Sequence, residues 1–472
     1  MSHQARLSRN YLSLAAARFA AKVISFAAWV LIARHLGAAD FGLFTFSFAV
    51  VTLAVVVFQA GLTPLTVREI ARDRARAPRF LTMSLLVRFA GGAAVAAVAV
   101  VVYWAFPSRE AAATTVTALA LGLGTVLVSF TDVMQAFERM EYYAAVLVVN
   151  NVLILTFVLY AVKTHAGLMS ILWLYVAANG LAALTAAAIC LVRFARPART
   201  VTWSEIVSFL KLAPDFSFSA LVASIYWRAD KVILKIFAGD AAVGIYGAAA
   251  GMVEGLVMVA GSFRESVFPA LSRAWPRAPL EFREASRTSF KFLAALAIPI
   301  CVGTSVVAPQ LFPFLYRAEF ARGSVILAVL IWALGAIFIR ELTAATLFAL
   351  DRQRMLLLSN AAGAVLSVAL NFALIPCWGG LGAAAAGVAT ALATTAFNLV
   401  LIGRKVPRLY PWTLLVRPAA AAVVMAAALL AGIYFRLPVL ANIGAGAVVY
   451  GAALFATGYY TPAHVIRLLS RR

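Results

Sequence analysis

The chain has 472 residues, 64% hydrophobic and 12% charged, with a mean hydropathy of +0.95. A soluble domain carries about a quarter charged residues, and no soluble core could bury this many apolar side chains, so a soluble enzyme or binding module is excluded and the bilayer becomes the solvent. The net charge of +22 comes from 40 Lys and Arg against 18 Asp and Glu; the bases lie mainly in short gaps between apolar runs, the pattern of topology signals rather than of a nucleic-acid face.

The pattern predicts about fourteen transmembrane helices, at 14–36, 41–62, 81–106, 112–134, 144–162, 169–193, 213–238, 243–267, 288–308, 323–348, 355–376, 380–402, 412–435 and 439–459. The first run is long and lacks a small-residue cleavage site, so it reads as a helix and not as a signal peptide. The gaps are short, which leaves no soluble domain. With the N-terminus in the cytoplasm, 25 Lys and Arg fall in cytoplasmic segments and 5 (Arg109, Lys163, Arg317, Arg322 and Arg436) on the other side. That bias sets the orientation and supports an even helix count. The expectation is a multi-pass protein of a bacterial inner membrane with both termini cytoplasmic.

A weak internal repeat marks two junctions. Gly37-Ala38-Ala39-Asp40-Phe41-Gly42-Leu43-Phe44 joins the first two runs, and Gly239-Asp240-Ala241-Ala242-Val243-Gly244-Ile245-Tyr246 joins the seventh and eighth. The offset is 202 residues and spans six helices, so the repeats keep the same orientation, one of the two transporter repeat plans. The expected organisation is an all-α integral membrane fold: a six-helix lobe at 1–193, a cytoplasmic linker at 194–212, a second six-helix lobe at 213–402 around a central cavity, and two appended helices with a tail at 403–472.

Ionisable residues inside a bilayer are costly and face a cavity or a partner unless they snorkel to the surface. Arg18 and Lys22 share one face of the first helix, Arg88 lies deep in the third, and Arg228, Lys231 and Lys235 share a face of the seventh. Cations in both halves would attract an anion such as a pyrophosphate, which arginine binds in a bidentate way. The alternative is a local ion pair: Asp230 with Lys231 or Arg228, Arg264 with Glu265, and Arg340 with Glu341. Glu254, halfway along the eighth helix, is either a proton- or sodium-coupling carboxylate or the partner of a nearby cation. Asn150, Asn151, Asn360 and Asn371 suit interhelical hydrogen bonds. Cys190, Cys301, Cys377 and four histidines lack metal-ligand spacing. No P-loop, catalytic triad or cofactor motif is present, which points away from an enzyme and toward transport without ATP hydrolysis by the chain itself.

Several segments together resemble the polysaccharide flippases of the multidrug/oligosaccharidyl-lipid/polysaccharide exporter superfamily. Ala33 to Gly42 is similar to the opening signature. Gly61-Leu62-Thr63-Pro64 with Arg68-Glu69-Ile70-Ala71-Arg72, Gln135 to Met140, Arg228-Ala229-Asp230-Lys231 with Gly244 to Ala249, Phe268 to Ser272, and Asn371 to Pro376 with Gly379 to Ala384 resemble later ones. The resemblance covers about residues 10–402. It implies two six-helix lobes and export of undecaprenyl-pyrophosphate-linked oligosaccharides by alternating access, for O-antigen, capsule or exopolysaccharide assembly. It also implies a polysaccharide polymerase and a chain-length regulator as partners besides membrane lipids, with no nucleic acid. A lipid II flippase and a cation-coupled multidrug exporter are the alternatives within the superfamily. A membrane glycosyltransferase is disfavoured by the lack of acidic catalytic residues and of a sizeable extramembrane loop.

Overall fold

The computed structural model describes residues 3–59, 61–211 and 214–459, with side chains described from residue 17 and, after the linker, from residue 220. Arg467, Arg471 and Arg472 of the expected cytoplasmic tail, and the side chains of Arg6 and Arg9, lie outside the described residues. Among the described residues the fold is all-helical, with twelve stretches long and apolar enough to cross a membrane. Two of these stretches each contain a pair of helices joined at one glycine.

The first pair is α1 (3–36) and α2 (38–59). Gly37 joins them at φ 78°, ψ 173°, a region that essentially only glycine occupies. Trp29 packs against Phe41 and Phe44 with ring centroids 4.9 and 5.8 Å apart. On a straight helix residues 29 and 44 would be about 22 Å apart, so the chain doubles back. After α2, Gly61 adopts the left-handed conformation and starts α3, Leu62–Arg72. Leu62, Leu65, Thr66, Glu69 and Ile70 bury one face of α3. Glu69 on that face pairs with Arg68, Arg72 and Arg76 at 3.1, 3.5 and 3.1 Å. The sequence reading leaves this segment as a loop; its amphipathic spacing makes it a helix.

Helices α4 (Ala77–Ala105), α5 (Arg109–Ala136), α6 (Met140–Lys163) and α7 (Leu168–Arg193) follow with short turns. α5 is central, packing on α4 and α7. Gly92 of α4 and Gly122 of α5 meet so closely that a methyl on Gly92 would lie 3.0 Å from the Gly122 Cα, the small-residue contact that lets membrane helices approach. The linker carries a further short helix, α8 (Trp203–Lys211), also absent from the sequence reading. A capping box starts it: the Glu205 backbone N–H donates to the Thr202 hydroxyl, while the Thr202 N–H and hydroxyl donate to the Glu205 carboxylate. These bonds hold the Glu205 carboxyl below its ordinary value. Arg79 of α4 pairs with Glu205 at 3.4 Å, and Phe209 is buried in the same core as Leu65, Phe80, Met134 and Cys190.

The second glycine-joined pair is α9 (214–238) and α10 (240–274), with Gly239 at φ 77°, ψ −176°. It doubles back as well: the Tyr246 hydroxyl donates to the Asp230 carboxylate at 2.5 Å, across a separation of about 24 Å on a straight helix. The remaining helices are α11 (Pro279–Leu315), α12 (Gly323–Ala349), α13 (Gln353–Trp378), α14 (Gly380–Gly403), α15 (Thr413–Tyr434) and α16 (Val439–Ala456). α11 is much longer than the 288–308 expected, because its first turns are polar and escape a hydropathy reading. The last two helices pack on it; from α16 and just beyond it, Tyr450 donates to the Ala295 carbonyl at 2.9 Å, Tyr459 to the Lys291 carbonyl at 3.0 Å, and Asn442 to Gln310 at 3.1 Å. The chain forms two compact units, Met1–Gly247 and Ala248–Arg472.

Candidate functional site

Within the first unit the tips of the two glycine-joined hairpins meet. A methyl placed on Gly42 would lie 1.8 Å from the Asp240 carbonyl oxygen, and one on Gly244 would lie 2.0 Å from the Ala38 carbonyl oxygen. Both pairs are related by the 202-residue offset, so the contact is reciprocal, as a two-fold relation between repeats requires. Gly247, the counterpart of Thr45, would bring a methyl to 2.9 Å from the Thr45 side chain. Only residues without a side chain allow the backbones this close. The repeat motif thus has two physical functions per copy: its first glycine turns the chain, and its second lets the tips touch.

The first turn of α5 engages both tips. Arg109 pairs with Asp40 of the first hairpin at 2.8 Å. Its neighbour Glu110 pairs at 3.3 Å with Lys235 of the second, and Lys235 also pairs with Asp240. The Lys235 ammonium sits 5.8 Å from the Phe46 ring centroid. Acids and bases from four helices, α2, α5, α9 and α10, therefore tie the tips together.

The structure distributes the sequence-predicted residues as follows. Arg18 is half-buried with its guanidinium 6.0 Å from the centroid of Tyr143 on α6. Lys22, one turn further on, is half-buried. Arg228 is half-buried on α9, whereas Lys231 is buried at 2% exposure. Glu254 is half-buried on α10 in the second unit. Arg18, Arg228, Lys231 and Glu254 are all engaged by other groups of the protein.

Arg88 has a partner that the sequence reading did not weigh. It is 1% exposed and pairs at 2.8 Å with Asp132 of α5, itself 2% exposed. It also donates to the Thr63 hydroxyl at 2.8 Å and to Ser129 at 3.2 Å, and Ser84 bonds Ser129 at 3.1 Å. This network braces α4, α5 and the start of α3, and in this conformation the guanidinium offers no face to a ligand. The available signal was polar spacing: Ser84 and Arg88 stand at i,i+4, Ser129 and Asp132 at i,i+3, so each helix presents one polar face. A second correction concerns Arg264. Its carboxylate partner is Glu341 of α12, at 3.0 Å, rather than the adjacent Glu265; Arg340 pairs with Glu341 at 3.6 Å as the sequence suggests.

The family described as polysaccharide biosynthesis protein matches residues 7–275. No curated protein matches the chain. Among solved structures, the chain is similar to the lipid II flippase MurJ in an inward closed conformation, with a TM-score of 0.76 at 14% identity over 94% of this chain and 98% of that one. It is also similar to an inward-facing multidrug resistance MATE family transporter of the MOP superfamily, at TM-score 0.66 and 14% identity over 83% and 95%. A MOP superfamily transporter from Pyrococcus furiosus follows at TM-score 0.57 and 13% identity, over 84% and 95%.

Proposed function

The chain belongs to the polysaccharide biosynthesis protein family, and from that membership we propose that it is a flippase moving undecaprenyl-pyrophosphate-linked oligosaccharide units across a bacterial inner membrane by alternating access. The observation that carries the reading is the reciprocal contact of the two glycine-hinged hairpins. Alternating access needs two like elements that rock about a shared region, and Gly42 and Gly244 provide a contact of that symmetry. The lobes would be 1–193 and 213–402 with 194–212 as linker, and helices of 403–472 appended. The charge bias supports an orientation with the glycine tips on the extracytoplasmic side and both termini in the cytoplasm.

In this reading Arg18, Lys22 and Arg228 hold the substrate's pyrophosphate, while Lys231, 2% exposed, and Arg88, paired with Asp132, would reach it only after a rearrangement of their surroundings. Their charges are costly at membrane depth, and an anionic headgroup offsets that cost. Glu254 is the coupling carboxylate. A polymerase and a chain-length regulator would take the product. A second reading, lipid II as the substrate, is supported by the likeness to MurJ over 94% of the chain.

The test is deletion of the gene with complementation. Loss of surface polysaccharide, with lipid-linked oligosaccharide accumulating on the cytoplasmic leaflet, is expected, and Arg228→Ala should insert normally yet fail to restore export. Accumulation of lipid II with intact polysaccharide would favour the second reading. Normal levels of both in the deletion strain would refute the flippase assignment.

A further inference from the structure

The first unit contains a cavity of about 580 Å³ between α2, α4 and α5, within the range of sites that hold small ligands. Its walls are apolar, including Val51, Ala54 and Val98, and its polar groups are gathered at one end, where Ser108 and Glu110 line it. Along α4 it runs from Ala94 to Phe106, about 18 Å of helix axis. One leaflet's share of the hydrocarbon core is about 15 Å. The cavity therefore has the length of a single acyl chain standing in one leaflet.

The polar end lies at headgroup depth. Next to it at the end of α4, Tyr103, Trp104 and the capping residue Phe106 are exposed, Trp104 at 78% and Phe106 at 74%. Exposed aromatics of this kind anchor helices at the membrane–water interface. The charges around the mouth are of both signs. Glu110 pairs with Lys235, whose ammonium lies over Phe46, a residue of the cavity wall. Asp240 joins Lys235, and Arg109 with Asp40 stands one residue away from Glu110. Three acids face two bases, so the mouth carries a formal charge of −1. A pyrophosphate or an anionic glycerol lipid would add to that negative charge and compete with Glu110 and Asp240 for Lys235. A zwitterion adds no net charge: its ammonium can replace Lys235 on Glu110 while its phosphate joins Lys235, which keeps Asp240 beside it.

We propose that this cavity is a binding site for an aminophospholipid such as phosphatidylethanolamine, with one acyl chain between α2, α4 and α5, the ammonium on Glu110 and the phosphate on Lys235. The bound lipid sits beside the hairpin tips, sharing Lys235 with them. The inference stands on the cavity and its mouth, and does not depend on what the protein transports.

The experiment is native mass spectrometry of the full-length protein, purified and delipidated in detergent. Synthetic phosphatidylethanolamine, phosphatidylglycerol and undecaprenyl phosphate are then added back one at a time. One phosphatidylethanolamine per chain should bind, with a preference over phosphatidylglycerol of roughly tenfold or more, the worth of a charge-assisted hydrogen bond. Val98→Trp fills the cavity from a lipid-exposed position and should abolish retention. Glu110→Gln, in a side chain outside the core, should keep lipid binding but lose the headgroup preference. Equal binding of the two phospholipids, preference for undecaprenyl phosphate, or full retention by a folded Val98→Trp protein would each overturn the proposal.

Discussion

Adding one methyl at Gly42 tests whether the tip contact belongs to the transport cycle. In the structure the methyl would lie 1.8 Å from the Asp240 carbonyl oxygen and 2.6 Å from its carbon. Carbon–oxygen contacts between backbones settle near 3.3–3.6 Å, so the tips must separate by about 1.5 Å. The obstacle is backbone, which cannot rotate away as a side chain would. Overpacking of this kind costs about 1–3 kcal/mol, enough to shift a two-state population by roughly fivefold to over a hundredfold. Gly244→Ala faces the equivalent clash with Ala38 at 2.0 Å and should behave the same. Spin labels on cysteines at the exposed positions Ala39 and Ala241, equivalent in the two repeats, report the separation. Both alanine variants should lengthen and broaden that distance and slow export, while Gly255→Ala, with open space around it, should change neither. An unchanged 39–241 distance with normal export in Gly42→Ala would refute the idea that this contact forms and breaks during the cycle.

Arg88→Leu and Asp132→Leu should each destabilise the protein by about 3–5 kcal/mol in detergent unfolding, because each strands a buried charge. The double variant should lose far less than the sum, and additive losses would show that the pair is uncoupled. If the double variant folds and still exports, Arg88 has no part in holding substrate; if it folds and is inactive, the guanidinium does more than brace. Glu254→Gln should abolish gradient-driven transport in proteoliposomes while leaving insertion normal, and full coupled transport would exclude Glu254 as the ion site. The α8 cap should be pH-dependent. Glu205 has a lowered folded-state value, so its contribution is present above the ordinary pH 4.5 and is lost as pH falls below it. Amide protection factors across 203–211 should drop over that acid window in the wild type and stay flat in Glu205→Gln.

The sequence makes legible what a single residue type or a long average can encode. Crossings follow from apolar length, and Gly37 and Gly239 are visible because only glycine takes their backbone conformation. The reciprocal contact at Gly42 and Gly244 is foreshadowed by the 202-residue offset, though its closeness appears only in three dimensions. The short helices α3 and α8 elude a hydropathy reading since they are amphipathic, yet each leaves a local mark: buried positions at i, i+3, i+4 and i+7 from Leu62, and the Thr202–Glu205 capping box. Ion pairs are the part that sequence distance hides. Arg88 finds Asp132 44 residues away, and Arg264 finds Glu341 on a different helix while an acid sits beside it in the chain.

This sorting of partners bears directly on where a substrate can be held. A cation buried against a carboxylate already has its charge offset, and moving it onto a phosphate would strand the acid it leaves. Arg88, at 1% exposure with Asp132 at 2.8 Å, is in that position. Half-buried cations such as Arg18, Lys22 and Arg228 retain access to water, so part of their hydration can be exchanged for a phosphate at lower cost. A count of intramembrane arginines therefore overstates the binding site; exposure ranks the candidates. On that ranking Arg228 precedes Arg88, and substitution at Arg228 should impair export without the loss of stability expected at Arg88.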